Sequence, residues 1–352
     1  MKLLYYILVN NKYMNKLEKI KKKLKKTKFT WLITGVAGFI GSNLLETLLH
    51  LNQSVIGVDN FTSGTKKNLL DVKKNISNQK WNNFIFFKGD ITKSNFYLTL
   101  PKKIDFVLHH AALGSVPKSI KDPILANHNN VSGFLNILNF SKLQNVKSFV
   151  YASSSAVYGD DLRSKKIEKN IGNSLSPYAL TKYIDELYAA TFFKCYNLST
   201  IGLRYFNVFG NRQDPKGDYA AVIPKWVNQI LKKKQVIIYG DGKSTRDFIY
   251  IENVVNANLL AAFAGKKSKN QVYNIGSGNS TSLNKLFKIL LSIVADLSLN
   301  SSRIKKPIYK KFRKGDIKHS TANIKKSKDL LGYNINESLE MSLKKTMESI
   351  LN

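Results

Sequence analysis

Three glycines spaced G-x-x-G-x-x-G, in Thr34-Gly35-Val36-Ala37-Gly38-Phe39-Ile40-Gly41, leave the first part of this chain few ways to fold. A short apolar strand candidate, Phe29–Ile33, precedes them. A helix candidate, Ser42–Leu51, follows, with Leu44, Leu45, Leu48 and Leu49 on one face. Glycines at a strand-to-helix junction allow a tight turn and a close backbone approach to a pyrophosphate. The helix N-terminus then meets the negative charge with its unpaired N–H groups. Such an opening predicts a β-α-β unit and therefore a parallel sheet.

The rhythm continues as that start requires. Strand candidates recur at Val55–Val58, Phe84–Phe87, Phe106–Leu108, Ser148–Ala152 and Thr200–Arg204, each short, apolar or β-branched. Helical patterns or loops separate them, which is the signature of a parallel sheet covered on both faces. The fold class expected is α/β, a Rossmann-type doubly wound parallel sheet with a smaller C-terminal α/β lobe. After Phe206 the alternation loosens, and two helical patterns close the chain near Ser282–Leu291 and Lys325–Leu331. The expected division is a basic helical extension at 1–28, a dinucleotide-binding domain at 29–206 and a mainly substrate-binding lobe at 207–352. Part of 236–262 is expected to join the first domain.

At 352 residues with 43% hydrophobic content, the chain can bury a full core, which excludes wholesale disorder. Its lone cysteine, Cys195, excludes a disulfide framework and any multi-cysteine metal site. No metal is expected. The charge is lopsided: 56 Lys and Arg against 23 Asp and Glu, a formal net of +33. Only six of the basic residues are Arg, the residue that phosphate readers prefer, and no nucleic-acid module is recognisable. The lysines are dispersed along the chain. They read as compositional bias, compatible with an anionic substrate and diagnostic of none. Leu3–Val9 is too short to span a bilayer, and Met14–Lys28 places Leu17, Ile20 and Leu24 at helical spacing. That stretch reads as a surface helix with a solvated basic face. Neither nucleic-acid binding nor membrane insertion is expected, and the expected location is cytoplasmic.

Four groups of residues carry candidate chemistry. Asp59 ends the second strand candidate, where a carboxylate can accept from both ribose hydroxyls and repel a 2′-phosphate, favouring NAD over NADP. Asp59-Asn60 is also good turn chemistry. Asp90, in Gly89-Asp90-Ile91, follows the third strand candidate within reach of an adenine edge. Tyr178 and Lys182 lie four apart, on one helical face. A phenol titrates near pKa ~10, and a neighbouring cation stabilises the phenolate and lowers that value. Ser153-Ser154-Ser155 closes the preceding strand candidate, and a hydroxyl there can share the substrate proton with Tyr178.

Together with His109-His110-Ala111-Ala112, these motifs resemble the extended short-chain dehydrogenase/reductase family. The runs Arg204–Gly210, Gly240–Asp247 and Arg313–Asp316 resemble its sugar-nucleotide branch. Trp31–Glu46, Ala111–Ile120 and Gly202–Trp226 resemble bacterial UDP-N-acetylglucosamine 4-epimerases. The resemblance implies reversible C4 epimerisation of a UDP-N-acetylhexosamine with NAD as cofactor, through a 4-keto sugar. The alternative it leaves is a C4 epimerase of UDP-glucose or a UDP-uronic acid, or another NAD-dependent UDP-sugar enzyme. A 4,6-dehydratase would need an Asp-Glu pair where Ser155 and Ala156 stand.

The same resemblance implies roles. Ser154, Tyr178 and Lys182 would be catalytic, with Ser153 or Ser155 as other candidates for the hydroxyl. Gly35, Gly38, Phe39, Ile40, Gly41, Asp59, Asn60, Asp90, Ile91, Ala111 and Asn130 would hold NAD together with Tyr178 and Lys182. Ser115, Ser154, Ser155, Tyr178, Asn207, Ala221, Val222, Arg246, Arg313, Asp316 and Ser320 would line the UDP-sugar site. A small residue at Ser320 leaves room for a 2-N-acetyl group. Two departures from the pattern stand out: His110 replaces an expected glutamine, and Asn211 an expected arginine. A homodimer is implied as well.

Overall fold

A computed structural model describes residues 15–93, 95–101, 103–215, 221–297, 305–312 and 318–351. Seven parallel strands form the central sheet: β1 (Thr30–Thr34), β2 (Ser54–Asp59), β3 (Phe84–Lys88), β4 (Phe106–His109), β5 (Ser148–Ser154), β6 (Thr200–Tyr205) and β7 (Gln271–Ile275). Their order is β7-β6-β5-β4-β1-β2-β3, so the chain reverses direction across the sheet between β1 and β4. That reversal opens a crevice at the C-terminal strand ends, where ligands of doubly wound sheets bind. The inner strands are buried along almost their whole length because both faces are covered. The doubly wound α/β architecture expected from the alternation is the one observed.

One face of the sheet packs against the helices Phe39–His50 and Ile251–Ala262, which share a core with Trp31, Ile33 and Leu203. The opposite face carries the helices Gly133–Leu143 and Pro177–Tyr196, burying Phe134, Ile137, Leu138 and Phe192 against Phe149 and Tyr151. The basic stretch near the start forms the helix Lys16–Lys26, closed at its N-terminus by an Asn15–Glu18 capping box. Ile20 and Leu24 are buried in the first core, while most of its lysines stay exposed. The buried Gln53 amide donates to Leu24 and Thr27 carbonyls and fastens this helix to β2.

β7 was hidden in the loosened rhythm after Phe206, and the reason is its composition. Two of its five residues are amides, and Asn274 is fully buried. Its side chain accepts from the Tyr158 hydroxyl at 2.6 Å and donates to the Lys166 carbonyl at 2.9 Å. The strand is therefore tolerated in the core by a satisfied polar network rather than by apolar burial.

A separate apolar cluster builds the smaller lobe from Phe209, Trp226, Ile230, Phe248, Leu286, Leu290 and Met347. Its strands are short. Asn207–Phe209 pairs in parallel with Phe248–Tyr250, and Thr245–Arg246 pairs in parallel with His319–Ala322. Among the described residues, no helix is long and apolar enough to cross a membrane.

Candidate active site

The glycine motif forms a cradle whose dimensions exclude side chains. Gly35 has φ +71°, and a Cβ there would meet the Ala111 backbone nitrogen at 2.8 Å. A Cβ on Gly41 would lie 2.1 Å from the Gly35 carbonyl oxygen. Gly38 is the N-cap, and the helix starts at Phe39 inside the motif, three residues earlier than the periodicity of its leucines shows. The amides of Phe39, Ile40 and Gly41 thus fall in the first turn, where helical N–H groups lack partners within the helix. This open concavity fits a pyrophosphate.

Asp59, at the end of β2, accepts from the Ala37 N–H at 2.9 Å through one oxygen and from the Phe61 N–H at 2.8 Å through the other. It therefore holds the glycine loop in place, the turn chemistry visible in Asp59-Asn60. Burial raises its pKa, and the two backbone bonds oppose that. Asp90 accepts from the Thr92 N–H and hydroxyl and from the Asn60 amide. Burial pulls its pKa up, but these bonds and the Lys93 charge outweigh it and leave the carboxyl below its usual range. Ile91 is buried against Gly133. Asn130, 1% exposed, accepts from the Leu113 N–H at 2.7 Å and donates to the Thr181 hydroxyl at 3.0 Å. It ties the loop after β4 to the helix Pro177–Tyr196.

That helix begins with Ser176 as N-cap and Pro177 in its first turn. Tyr178 is fixed through its backbone N–H, which donates to the Ser119 hydroxyl at 3.0 Å. Lys182, 2% exposed, donates to Asp185 at 3.1 Å. The three serines ending β5 are distinguished by their partners. Ser153 donates to Glu186 at 2.5 Å within a buried group in which Arg204 forks onto the same carboxylate at 2.9 and 2.7 Å. Ser154 points to the other face of the strand and accepts from the Ala156 N–H at 3.1 Å. Ser155 starts the following 3-10 turn. His110, in the expected glutamine's place, stacks on Tyr205 and lies 3.2 Å from the Asn258 side-chain oxygen.

On the substrate side, Asn207, Ala221, Val222 and Arg246 line one cavity of about 410 Å³ with Phe248, Trp226 and Lys225. Asn207 is fixed by donating its side-chain amide to the Asp247 carbonyl at 3.0 Å. Ser320 is the registered neighbour of Arg246 across the parallel strand pair, so the two side chains share a face. Thr245, His319 and Thr321 line a separate polar bowl of about 770 Å³. Ser115 caps the helix Val116–Lys121 by accepting from the Lys118 N–H at 3.3 Å. Arg313 and Asp316 lie outside the described residues.

Sequence reasoning missed the groups that hold this machinery. Buried Asp247 accepts from the Ser277 and Gly278 N–H groups and from Ala322, welding three segments of the smaller lobe. Asp185 and Glu186 were overlooked too, although the three-residue step from Lys182 to Asp185 was a usable signal.

A glycine cradle at the crevice of a doubly wound sheet, beside a helix carrying Tyr178 and Lys182, defines a nucleotide-sugar enzyme of the extended short-chain dehydrogenase/reductase type. Residues 31–276 match the model of the NAD dependent epimerase/dehydratase family, and the chain belongs to that family, with NAD as its cofactor. It is 38% identical over 300 residues to a putative UDP-glucose 4-epimerase of Methanocaldococcus jannaschii, covering 85% of this chain and 91% of that one. A UDP-glucuronate 4-epimerase of Thermodesulfobacterium geofontis is 33% identical over 90% of this chain and 94% of its own. Among solved structures, the UDP-N-acetylglucosamine 4-epimerase of Methanobrevibacter ruminantium, in complex with UDP-N-acetylmuramic acid, superposes with TM-score 0.82 at 35% identity, covering 92% and 99% of the two chains.

Proposed function

We propose that the protein interconverts UDP-GlcNAc and UDP-GalNAc by inverting C4. The observation that carries the choice of sugar is Ser320, a small side chain in register with Arg246 on the strand pair beside the substrate cavity. With Arg246 placed on the diphosphate, a residue of that size leaves space for a 2-N-acetyl group. The names of the relatives support a second reading, epimerisation of UDP-glucose or a UDP-uronic acid. Dehydration has no acid/base pair to serve it, because Ser155 and Ala156 follow Ser154.

When bound, NAD supplies a reversible hydride acceptor for the sugar carbon. The chain supplies the rest. Tyr178, as phenolate, removes the proton of the 4-hydroxyl, and Ser154 shares it through its Oγ. Lys182 favours that phenolate by its charge. Asn207, Arg246, Arg313 and Asp316 hold the diphosphate end while the 4-keto sugar turns its other face, and the same phenol returns the proton. No net redox change results. Asp59 and the glycine cradle hold the dinucleotide, with Asn130 placing the loop after β4 against the catalytic helix. Exposed Leu180 and Leu187, seven apart on the catalytic helix, together with exposed Ile120 and Ile124, favour a homodimer through this face.

The test is product NMR on a panel of UDP-GlcNAc, UDP-glucose and UDP-glucuronate without added reductant, alongside light scattering of the same sample. Conversion of UDP-GlcNAc at least tenfold faster than the others, by a particle of two chains, is the expected outcome. A preference for either other sugar would replace the substrate named here.

A further inference from the structure

Beside Tyr178 and Lys182 stands a buried carboxylate that the reaction above leaves unused. Asp185 is 0% exposed and lies on the helix Pro177–Tyr196 seven residues after Tyr178 and three after Lys182. That spacing puts all three on one face. Asp185 Oδ2 accepts from Lys182 Nζ at 3.1 Å, with both side chains shielded from solvent. Its Oδ1 has no hydrogen-bond partner among the described residues.

The surroundings isolate this pair. Glu186, the next residue, turns away to Arg204 and Ser153 and is satisfied there. His109 and His110 reach Lys182 from the end of β4, and burial first, then the Lys182 charge, holds both imidazoles below their usual pKa. Tyr151 faces Asp185 and Glu186 from β5, and burial, reinforced by those charges, keeps its phenol protonated. Among these groups Asp185 is the carboxylate that bonds to Lys182.

We propose that Asp185 is a positioning residue that acts through Lys182. Its carboxylate anchors the ammonium on the Tyr178 face and offsets part of its charge, so the Tyr178 phenol ionises at a higher pH than the Tyr–Lys pair alone would set. The inference rests on reading Tyr178 as the base. Burial raises the Asp185 carboxyl to about 7, against the opposing Lys182 charge and with a smaller upward push from Glu186. Asp185 therefore gains its negative charge near neutral pH, and through Lys182 that charge couples to the ionisation of Tyr178. Loss of the one carboxyl proton of Asp185 makes the phenol harder to ionise, which broadens the acid limb of the rate profile.

Asp185→Asn keeps a hydrogen-bond acceptor for Lys182 and removes the charge. The acid limb of kcat/KM against pH is expected to move down by about half to one pH unit and to sharpen to a single-proton slope. A second readout needs no turnover: the tyrosinate absorbance difference between protein with Tyr178 and the matching Tyr178→Phe variant, titrated with and without Asp185→Asn. It is expected to shift in the same direction. Should Asp185→Asn fail to fold, Asp185→Ser enters the same two measurements. An acid limb and a tyrosinate titration that both stay in place, while only the melting temperature moves, would overturn the proposal and leave Asp185 a structural partner. Tyr178→Phe losing less than tenfold in rate would instead remove the underlying reading of the base, so the two failures are distinguishable.

Discussion

The glycine cradle proposed to hold the cofactor and the Arg246 cavity proposed to hold the sugar nucleotide sit on the same molecule but are made of different material. The cradle is backbone: glycine turns, the first turn of the helix Phe39–His50 and amides fixed by Asp59, all at the ends of buried strands of the central sheet. The cavity is side chains: Asn207, Arg246 and their neighbours on strands two to four residues long, drawn from segments far apart in the chain. A backbone site tolerates almost no change in shape, because nothing in it can rotate aside. A side-chain site on short strands can be re-cut one residue at a time while the fold persists. That difference accords with the several sugar substrates that the relatives' names carry.

The largest effect that would test this contrast belongs to Gly41→Ala. The added carbon would lie 2.1 Å from one backbone atom and 2.8 Å from another, both of Gly35, so the turn itself must move. Displacing a fixed binding geometry by about an ångström costs on the order of a hundredfold. NAD affinity, measured by titrating stripped protein, is expected to fall by at least that factor, with UDP affinity little changed. An alanine variant that keeps NAD within about threefold of the parent would break the claim that backbone shape defines this half.

The same contrast decides what could be read from the chain before its structure. Six of the seven strands were legible because parallel strands covered on both faces are short apolar runs; the leucine periodicity showed the first helix but put its start three residues late, at Ser42 instead of Phe39. β7 was not legible. Gln271-Val272-Tyr273-Asn274-Ile275 carries two amides whose partners come from Lys166 and Tyr158, more than a hundred residues away. The Tyr178–Lys182 pair was visible because helical spacing alone joins its members. Which serine of 153–155 faces it was not, since that depends on strand register and on where Glu186 and Arg204 lie. Asp185 was passed over for a related reason: a carboxylate on a helix is usually solvated, and only the packing of β4 and β5 against this helix buries it.

On the cavity side, a smaller and separable loss is expected from Arg246→Ala. Arg246 also donates to the carbonyls of Thr245 and Lys318, so its guanidinium is anchored before any ligand arrives. A hydrogen bond to a charged partner contributes about 1.5–3 kcal/mol, which corresponds to roughly ten- to a hundredfold in affinity. Calorimetry with UDP is expected to register that loss, while NAD titration of the same variant stays with the parent. A parallel loss of NAD affinity would mean that the two halves are not independent.

The smallest and most selective effect is expected from Ser320→Tyr. Ser320 is 9% exposed and in register with Arg246, so a large ring at this position must enter the space beside the cavity or disturb the strand. If the ring takes the room meant for the acetyl group, turnover of UDP-GlcNAc falls about tenfold relative to UDP-glucose, the scale set by steric discrimination in a pocket. Affinity for UDP itself, which reaches only the diphosphate anchors, then stays close to the parent value. Strand disturbance would act differently, because Arg246 shares the pairing, and UDP affinity would fall along with both substrates. The ratio of the two turnover rates separates the outcomes. Equal loss on UDP-GlcNAc and UDP-glucose removes Ser320 as the gate and returns the choice of sugar to other residues of the cavity.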